Sequence, residues 1–206
     1  MKFVQINAAS LLDPRLVRLV ERHGADGCRV YLEELRWPGG AECPRCASSR
    51  LGWLESREKY ACRDCRYQFR VAARTVFHDS HLPLPKWFAA VALILESDAG
   101  LPASRLQQIL GGSYKSAWFL EHRIRAAMVS PDGEAERRAT VTRAPGVHRG
   151  NGRKYRSVYW SETLWRRAHR RRPDAFRATV LALLRHPWLP LDELTSVSRP
   201  LASARA

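Results

Sequence analysis

The chain lacks any run of 18 uninterrupted apolar residues, so no transmembrane helix is expected. Its start, MKFVQINAASLLDPRLVRL, lacks an apolar core followed by a small-residue cleavage site and does not read as a signal peptide. Acidic residues are scarce beside basic ones: 20 Asp and Glu against 35 Lys and Arg, a formal net charge of +15. That deficit favours a polyanionic partner, held through counterion release and electrostatic steering, and nucleic acid ahead of a membrane surface. The five cysteines are odd in number and four of them form two tight pairs, which is the arithmetic of a metal site in a reducing cytoplasm rather than a disulfide framework. There is no internal repeat. With 45% hydrophobic and 27% charged residues, most of the 206-residue chain reads as globular, long enough for one sizeable core or two small ones.

Helical spacing opens the chain. Residues 10–37 carry Leu16, Val17, Leu19 and Val20, started by Asp13-Pro14 and broken at Gly24; Val30, Tyr31, Leu32 and Leu35 form the apolar face of a second helix that ends before Trp37-Pro38-Gly39-Gly40. Residues 41–72 alternate and are aromatic (Leu51, Trp53, Tyr60, Tyr67, Phe69, Val71), which predicts β-hairpins around a metal. Trp87, Val91, Ile94 and Leu95 predict a helix over 84–97. Two more are expected at 103–110 and 114–129, separated by Gly111-Gly112-Ser113, with Leu106, Ile109 and Leu110 and then Ala117, Leu120, Ile124 and Ala127 or Met128 as buried faces. Residues 143–156 are rich in Gly and Arg and read as a basic linker. Helices at 160–171 and 174–186 follow, within a tail (130–206) that holds 16 basic and 7 acidic residues.

Cys43-Pro44-Arg45-Cys46 and Cys62-Arg63-Asp64-Cys65 are two CxxC pairs separated by 15 residues. Each pair on a tight turn presents two sulfurs to one ion, and together they complete a tetrahedron of thiolates that suits zinc. Four protein ligands leave no open coordination position, so one structural Zn²⁺ is expected rather than a catalytic one. His78 and His81 flank this segment but find the shell already filled, and Cys28 lies in an apolar helical stretch as a small buried hydrophobe.

Arginines decorate the same module: Arg45, Arg50, Arg63, Arg66 and Arg70 are candidate phosphate contacts or a solvated surface. The helix pair over 103–129 has the proportions of a helix-turn-helix, with Ser113 capping the second helix. On that helix Tyr114, Lys115, Ser116, Phe119 and Arg123 are the candidate base-facing residues, with His122 and Arg125 nearer phosphates. In the tail, Arg166-Arg167 and Arg170-Arg171-Arg172 with Trp160 and Trp165 on a helix are candidates to line a phosphate backbone, the alternatives being a solvated helix face or an unfolded polycationic tail.

The segments WPGGAECPRCAS, YACRDCRYQF, TVFHDSHLPLPKWF and SYKSAWFLEHRIRAAM, with CRVYLEELRW upstream, together resemble the N-terminal region of the zinc-ribbon transposases of bacterial insertion sequences, over roughly residues 10–129. The resemblance implies a zinc ribbon and helix-turn-helix that recognise the element's terminal inverted repeats, with Cys43, Cys46, Cys62 and Cys65 as ligands and the helix starting near Ser113 as recognition helix. Two positions depart: Arg74 stands where the family usually has Gly, and Gly112 where an apolar residue is usual, which predicts a changed turn after the ribbon and looser packing between the two helices. The family's ribonuclease-H-like domain, with three acids holding two metal ions, finds no match in the 77 residues of 130–206; Asp132, Glu134, Glu136, Glu162, Asp174, Asp192 and Glu193 are not assignable to such a site.

The expectation is therefore an α+β protein: N-terminal helices (1–40), a small Cys₄ ribbon of β-hairpins (41–82), a helix-turn-helix region (83–129), a basic linker (130–158) and a basic helical tail (159–206). Its expected role is zinc-dependent, non-enzymatic binding of double-stranded DNA in the cytoplasm, at the nucleoid. A full-length transposase or a second copy of the chain is a further partner. The alternatives are an adaptor whose ribbon binds a protein, an enzyme with an unrecognised catalytic tail, and a tail encoded after a frameshift.

Overall fold

The computed structural model describes residues 12–98, 100–128, 156–169, 172–190 and 194. Residues 129–155, which hold most of the expected basic linker, with Arg170, Arg171 and the acids Asp132, Glu134, Glu136, Asp192 and Glu193, lie outside the described residues; the last linker positions, 156–158, open a helix instead. Within them are seven α-helices and one three-stranded sheet. The expected α+β class and its small ribbon among helices are what the structure has.

Helix α1 (Pro14–His23) begins where the sequence signals it: the Asp13 side chain accepts from the Arg15 N–H at 2.7 Å, and Pro14 occupies the first helical position. After a short 3₁₀ turn at Gly24–Asp26 the chain enters α2 (Gly27–Arg36). Gly27 is required there: a Cβ would lie 2.5 Å from the Leu19 carbonyl group and the Val20 nitrogen, so only glycine lets α2 cross α1 this closely. Tyr31 of α2 reaches back to donate to Asp13 Oδ2 at 2.8 Å, joining the cap to the core.

The ribbon follows as an antiparallel sheet in the order β1 (Leu51–Leu54), β2 (Lys59–Cys62), β3 (Gln68–Phe69). Its register sets Leu51 opposite Cys62, Trp53 opposite Tyr60 and Tyr60 opposite Phe69. Aromatic rings then line one face: Tyr60 stacks on Phe69 at 5.6 Å, Phe69 on Tyr67 at 5.9 Å, and Trp37 meets Tyr60 edge-on at 5.7 Å. With Cys43, Cys62 and Ala73 these rings form a small core of their own.

Helices α3 (Leu84–Glu96), α4 (Ala103–Leu110) and α5 (Tyr114–Ala127) pack on one another. α3 is buried nearly all round, through Trp87, Phe88, Ala89, Ala90, Val91, Ala92 and Ile94. The α4–α5 turn has Gly111 at φ +68° and Gly112 at φ +93°, and the Gly112 carbonyl accepts from Gln107 Nε2 at 3.2 Å. Gly112 thus supplies a backbone angle that side chains disfavour, while Leu106, Leu110, Ala117 and Leu120 stay buried on either side of the turn.

Helices α6 (Arg156–His169) and α7 (Ala175–Arg185) come from the tail and join the same body. The main core runs from Leu12 to Leu189 and takes Phe176, Val180 and Leu183 from α7. Phe176 meets Phe88 edge-on at 5.8 Å and Tyr31 at 6.3 Å, so α7 closes the space between α2 and α3. The chain then passes through Pro187, which forms an isolated antiparallel bridge with Thr75 just beyond the ribbon.

Candidate functional site

Two turns of the same construction hold the four cysteines. In the first, the Cys43 N–H donates to the Ser48 carbonyl (2.9 Å) and the Ala47 N–H to the Cys43 carbonyl (2.8 Å). In the second, the Cys62 N–H donates to the Tyr67 carbonyl (3.0 Å) and the Arg66 N–H to the Cys62 carbonyl (3.0 Å). The residue after each second cysteine takes a left-handed backbone, Ala47 at φ +57° and Arg66 at φ +59°, which folds both sulfurs of a pair toward one point. Asp64 joins the turns, accepting from Ser48 Oγ and from Arg50 Nη1 at 2.9 Å.

The sulfurs of Cys43 and Cys65, and of Cys46 and Cys62, lie 3.6 Å apart, and all four ligand atoms fall within 4.8 Å of one another. Zinc–thiolate bonds of about 2.3 Å in a tetrahedron require sulfur separations of about 3.8 Å. The four therefore fit a single structural zinc ion. Cys43 and Cys62 are buried, Cys65 is half-buried and Cys46 exposed, so the metal would sit at the ribbon's outer edge with its inner ligands covered. The backbone amides of Cys65 and Asp64 point at the Cys62 sulfur and pull its pKa down to about 6. Cys46 is raised to about 12: the Ser48 amide lowers it, but the neighbouring thiols of Cys65, Cys62 and Cys43, with some desolvation, more than offset that pull. Metal binding at this site must displace protons, so zinc affinity weakens as the pH is lowered.

Arg36, which the sequence reading passed over, and Arg74, read there as a departure from the family's Gly, tie the segment after the ribbon to α2 and to the first cysteine turn. Arg36 stacks on Trp37 at 4.9 Å and donates to the Val71 carbonyl and, at 2.8 Å, to the Ala73 carbonyl. Arg74 holds φ +61° and donates to the Pro44 carbonyl at 2.7 Å. A left-handed arginine costs about 1–2 kcal/mol of backbone energy, offset in part by that bond to the first cysteine turn. The contacts of Arg36 and Arg74 join positions more than 29 apart in sequence, so no local pattern signals them.

The candidate nucleic-acid contacts divide by surroundings. Arg45, Arg63, Arg66 and Arg70 are exposed, and among the described residues none pairs with a carboxylate. Arg50 is exposed too but pairs with Asp64. On α5, the Ser113 hydroxyl caps the helix by accepting from the Ser116 N–H at 3.1 Å. Tyr114 and Lys115 are exposed; Ser116, Phe119 and Arg123 are half-buried. Lys115 Nζ lies 5.9 Å from the Phe119 ring centre, and Arg123 donates to the His78 carbonyl at 3.1 Å.

His122 and Arg125, read from the sequence as phosphate contacts, are a correction. Their relative exposures are 2% and 1%. α6 covers the stripe of α5 that carries Trp118, Glu121, His122 and Arg125. Arg125 pairs with Glu121 and Glu162, donates to the Leu101 carbonyl at 3.2 Å, and lies 4.1 Å over the Tyr159 ring. The His122 ring tilts against Trp118 at 3.9 Å and meets Tyr159 at 5.9 Å. Burial, reinforced by the Arg125 charge, holds His122 down at about 3, and burial raises Glu121 to about 7 against the pull of Arg125. The tail's Arg166 is likewise buried, paired with Glu162 at 3.0 Å and donating to the carbonyls of Ser97 and Asp98. Trp160 is buried, and Trp165 donates to Thr179 Oγ1 at 3.0 Å. These residues dock the tail rather than line a phosphate backbone. Cys28 is fully buried, its thiol pushed up to about 12 by desolvation, as a core hydrophobe should be. No helix among the described residues is long and apolar enough to cross a membrane.

The chain is 30% identical over 103 residues to an uncharacterized protein in transposable element ISH50 of Halobacterium salinarum, a match that covers 48% of this chain and 34% of that protein. It thus spans about a third of the length of that curated relative. No solved structure matches it significantly. The span from the entry of α2 into β3, residues 26–68, contains all four cysteines and matches the family model of the transposase zinc-ribbon domain, which is the domain this part of the chain carries.

Proposed function

We propose that this chain is a zinc-dependent binder of double-stranded DNA derived from an insertion-sequence transposase. In this reading it recognises element-end DNA, and the residues present serve recognition rather than catalysis. The observation that carries it is a four-thiolate transposase ribbon whose Arg45, Arg63, Arg66 and Arg70 stand in solvent, without carboxylate partners among the described residues. Arg45, Arg63 and Arg66 sit on metal-stiffened turns, so their backbone needs no ordering and no carboxylate has to be displaced when they meet phosphates. α5 acts as the recognition helix of a helix-turn-helix through its open stripe, Tyr114, Lys115, Ser116 and Phe119, with Arg123 at its far end. The net charge of +15 supplies the long-range attraction. A full-length transposase, or a second copy, is the protein partner this reading allows.

The deciding experiment is a titration of zinc-loaded protein with duplex DNA carrying candidate element ends and with random duplex, at two salt concentrations, beside Cys62→Ser. One zinc per chain, salt-sensitive preference for an element end, and loss of both zinc and binding in the variant are expected. Zinc without any duplex binding would reject the reading in favour of a protein adaptor.

A further inference from the structure

The stripe of α5 that α6 leaves open continues past the helix. Lys115 leans over Phe119, Arg123 follows one helical turn later, and its guanidinium holds the His78 carbonyl. The His78 ring in turn meets the Trp188 ring edge-on at 5.6 Å. Lys115 and Phe119, then Arg123 one turn on with His78 and Trp188, thus place cationic and aromatic groups in sequence along a track made by α5, the loop after the ribbon, and the tail. Asp79 is the acid near enough to act on Arg123.

Trp188 is conspicuous on this track because it is 40% exposed. Among the described residues the other large exposed apolar side chains are Ile109 and Tyr114, which flank the α4–α5 turn. Its neighbours are fixed: Pro187 bridges Thr75, and Leu189 is buried at 2%. An extended segment anchored on both sides of Trp188 holds the indole outward in a preset position, so little order remains to be imposed when it meets a partner.

We infer that Trp188, seated on His78, is part of the DNA-contacting surface and packs its indole on the sugar–phosphate backbone of duplex DNA beside the stretch facing α5. The inference rests on the DNA-binding reading above. Duplex DNA is the occupant because the track continues the α5 stripe with Lys115 and Arg123 as its cations, and because deoxyribose offers apolar surface beside each phosphate. The contact adds apolar burial and neutralises no phosphate.

The test uses full-length, zinc-loaded protein: Trp188→Ala, Trp188→Phe and, as reference, Lys115→Ala, titrated with duplex DNA over a range of salt, with zinc content and melting temperature measured on each. Trp188→Ala should weaken binding about tenfold, the scale of an interface tryptophan, with an unchanged salt slope. Its zinc content and melting temperature should match the parent, and Trp188→Phe should recover most of the affinity. Lys115→Ala should instead lower the slope. If Trp188→Ala binds as tightly as the parent while Lys115→Ala is weakened, the inference fails and the DNA reading stands. Lowered melting temperature with unchanged affinity would likewise overturn it, assigning Trp188 to tail packing. If the parent binds no duplex, both fall together.

Discussion

His122 and Glu121 are adjacent residues whose burial acts on stability in opposite senses. For His122 the neutral ring is favoured in the fold, so its contribution is present above the ordinary value of 6.5 and is lost as pH falls toward about 3. For Glu121 the neutral acid is favoured, so its contribution is present below the ordinary value of 4.5 and is lost as pH rises through about 7. Between about pH 4.5 and 6.5 the two slopes offset one another, each about 1.4 kcal/mol per pH unit at full effect. Glu121→Gln removes one of them. Below pH 6.5 its stability should fall more steeply with falling pH than the parent's, by up to that slope, until about pH 4.5. Urea unfolding at half-unit pH steps measures this, and parallel profiles for the two proteins would refute the offset.

Helix α5 has two polar stripes of similar appearance, and its neighbours distinguish them. Arg125 lies on the stripe closed by α6, where it pairs with Glu121 and Glu162. Removing one partner from such a buried group typically costs about 3–5 kcal/mol, because a charge is left without compensation. Arg125→Met should therefore lower stability by that order in denaturant unfolding and leave the salt slope of DNA binding unchanged under conditions where it is folded. Lys115→Ala, on the open stripe, should do the reverse: stability within about 0.5 kcal/mol of the parent and a salt slope lower by about one. A loss of slope in Arg125→Met would return that residue to the DNA surface.

The whole molecule is organised by its tail. α7 supplies Phe176, Val180 and Leu183 to the core shared with α2 and α3, and α6 brings Glu162 and Arg166 to the charge network. A frameshifted tail has no reason to complement a core as far upstream as Phe88 and Tyr31, so this packing argues for a chain built as one unit. Phe176→Ala should destabilise by about 3–5 kcal/mol. Circular dichroism and tryptophan fluorescence should follow the same single transition, because Phe176 touches Tyr31 and Phe88 rather than tail residues alone. Separate transitions for tail and body would contradict a shared core.

What the sequence by itself determined is whatever local chemistry enforces. The CxxC spacing sets the ligands, since two thiolates on a turn can meet only one ion. Asp13-Pro14, Gly24 and the Ser113 cap set helix ends, because they satisfy or free backbone groups within a few residues. α6 begins at Arg156, ahead of the expected 160, for want of such a signal. The tertiary structure alone decided which face of α5 is open, since Lys115 and Arg125 are equally charged in sequence and differ only in what packs over them. It also decided that Arg166 and Trp160 are interior, that Arg36 and Arg74 tie the ribbon down, and that Trp188 stands outward on His78. Each of these depends on a partner distant in the chain, and burial, which sets the cost of every charge, belongs to the packed fold and to no residue alone.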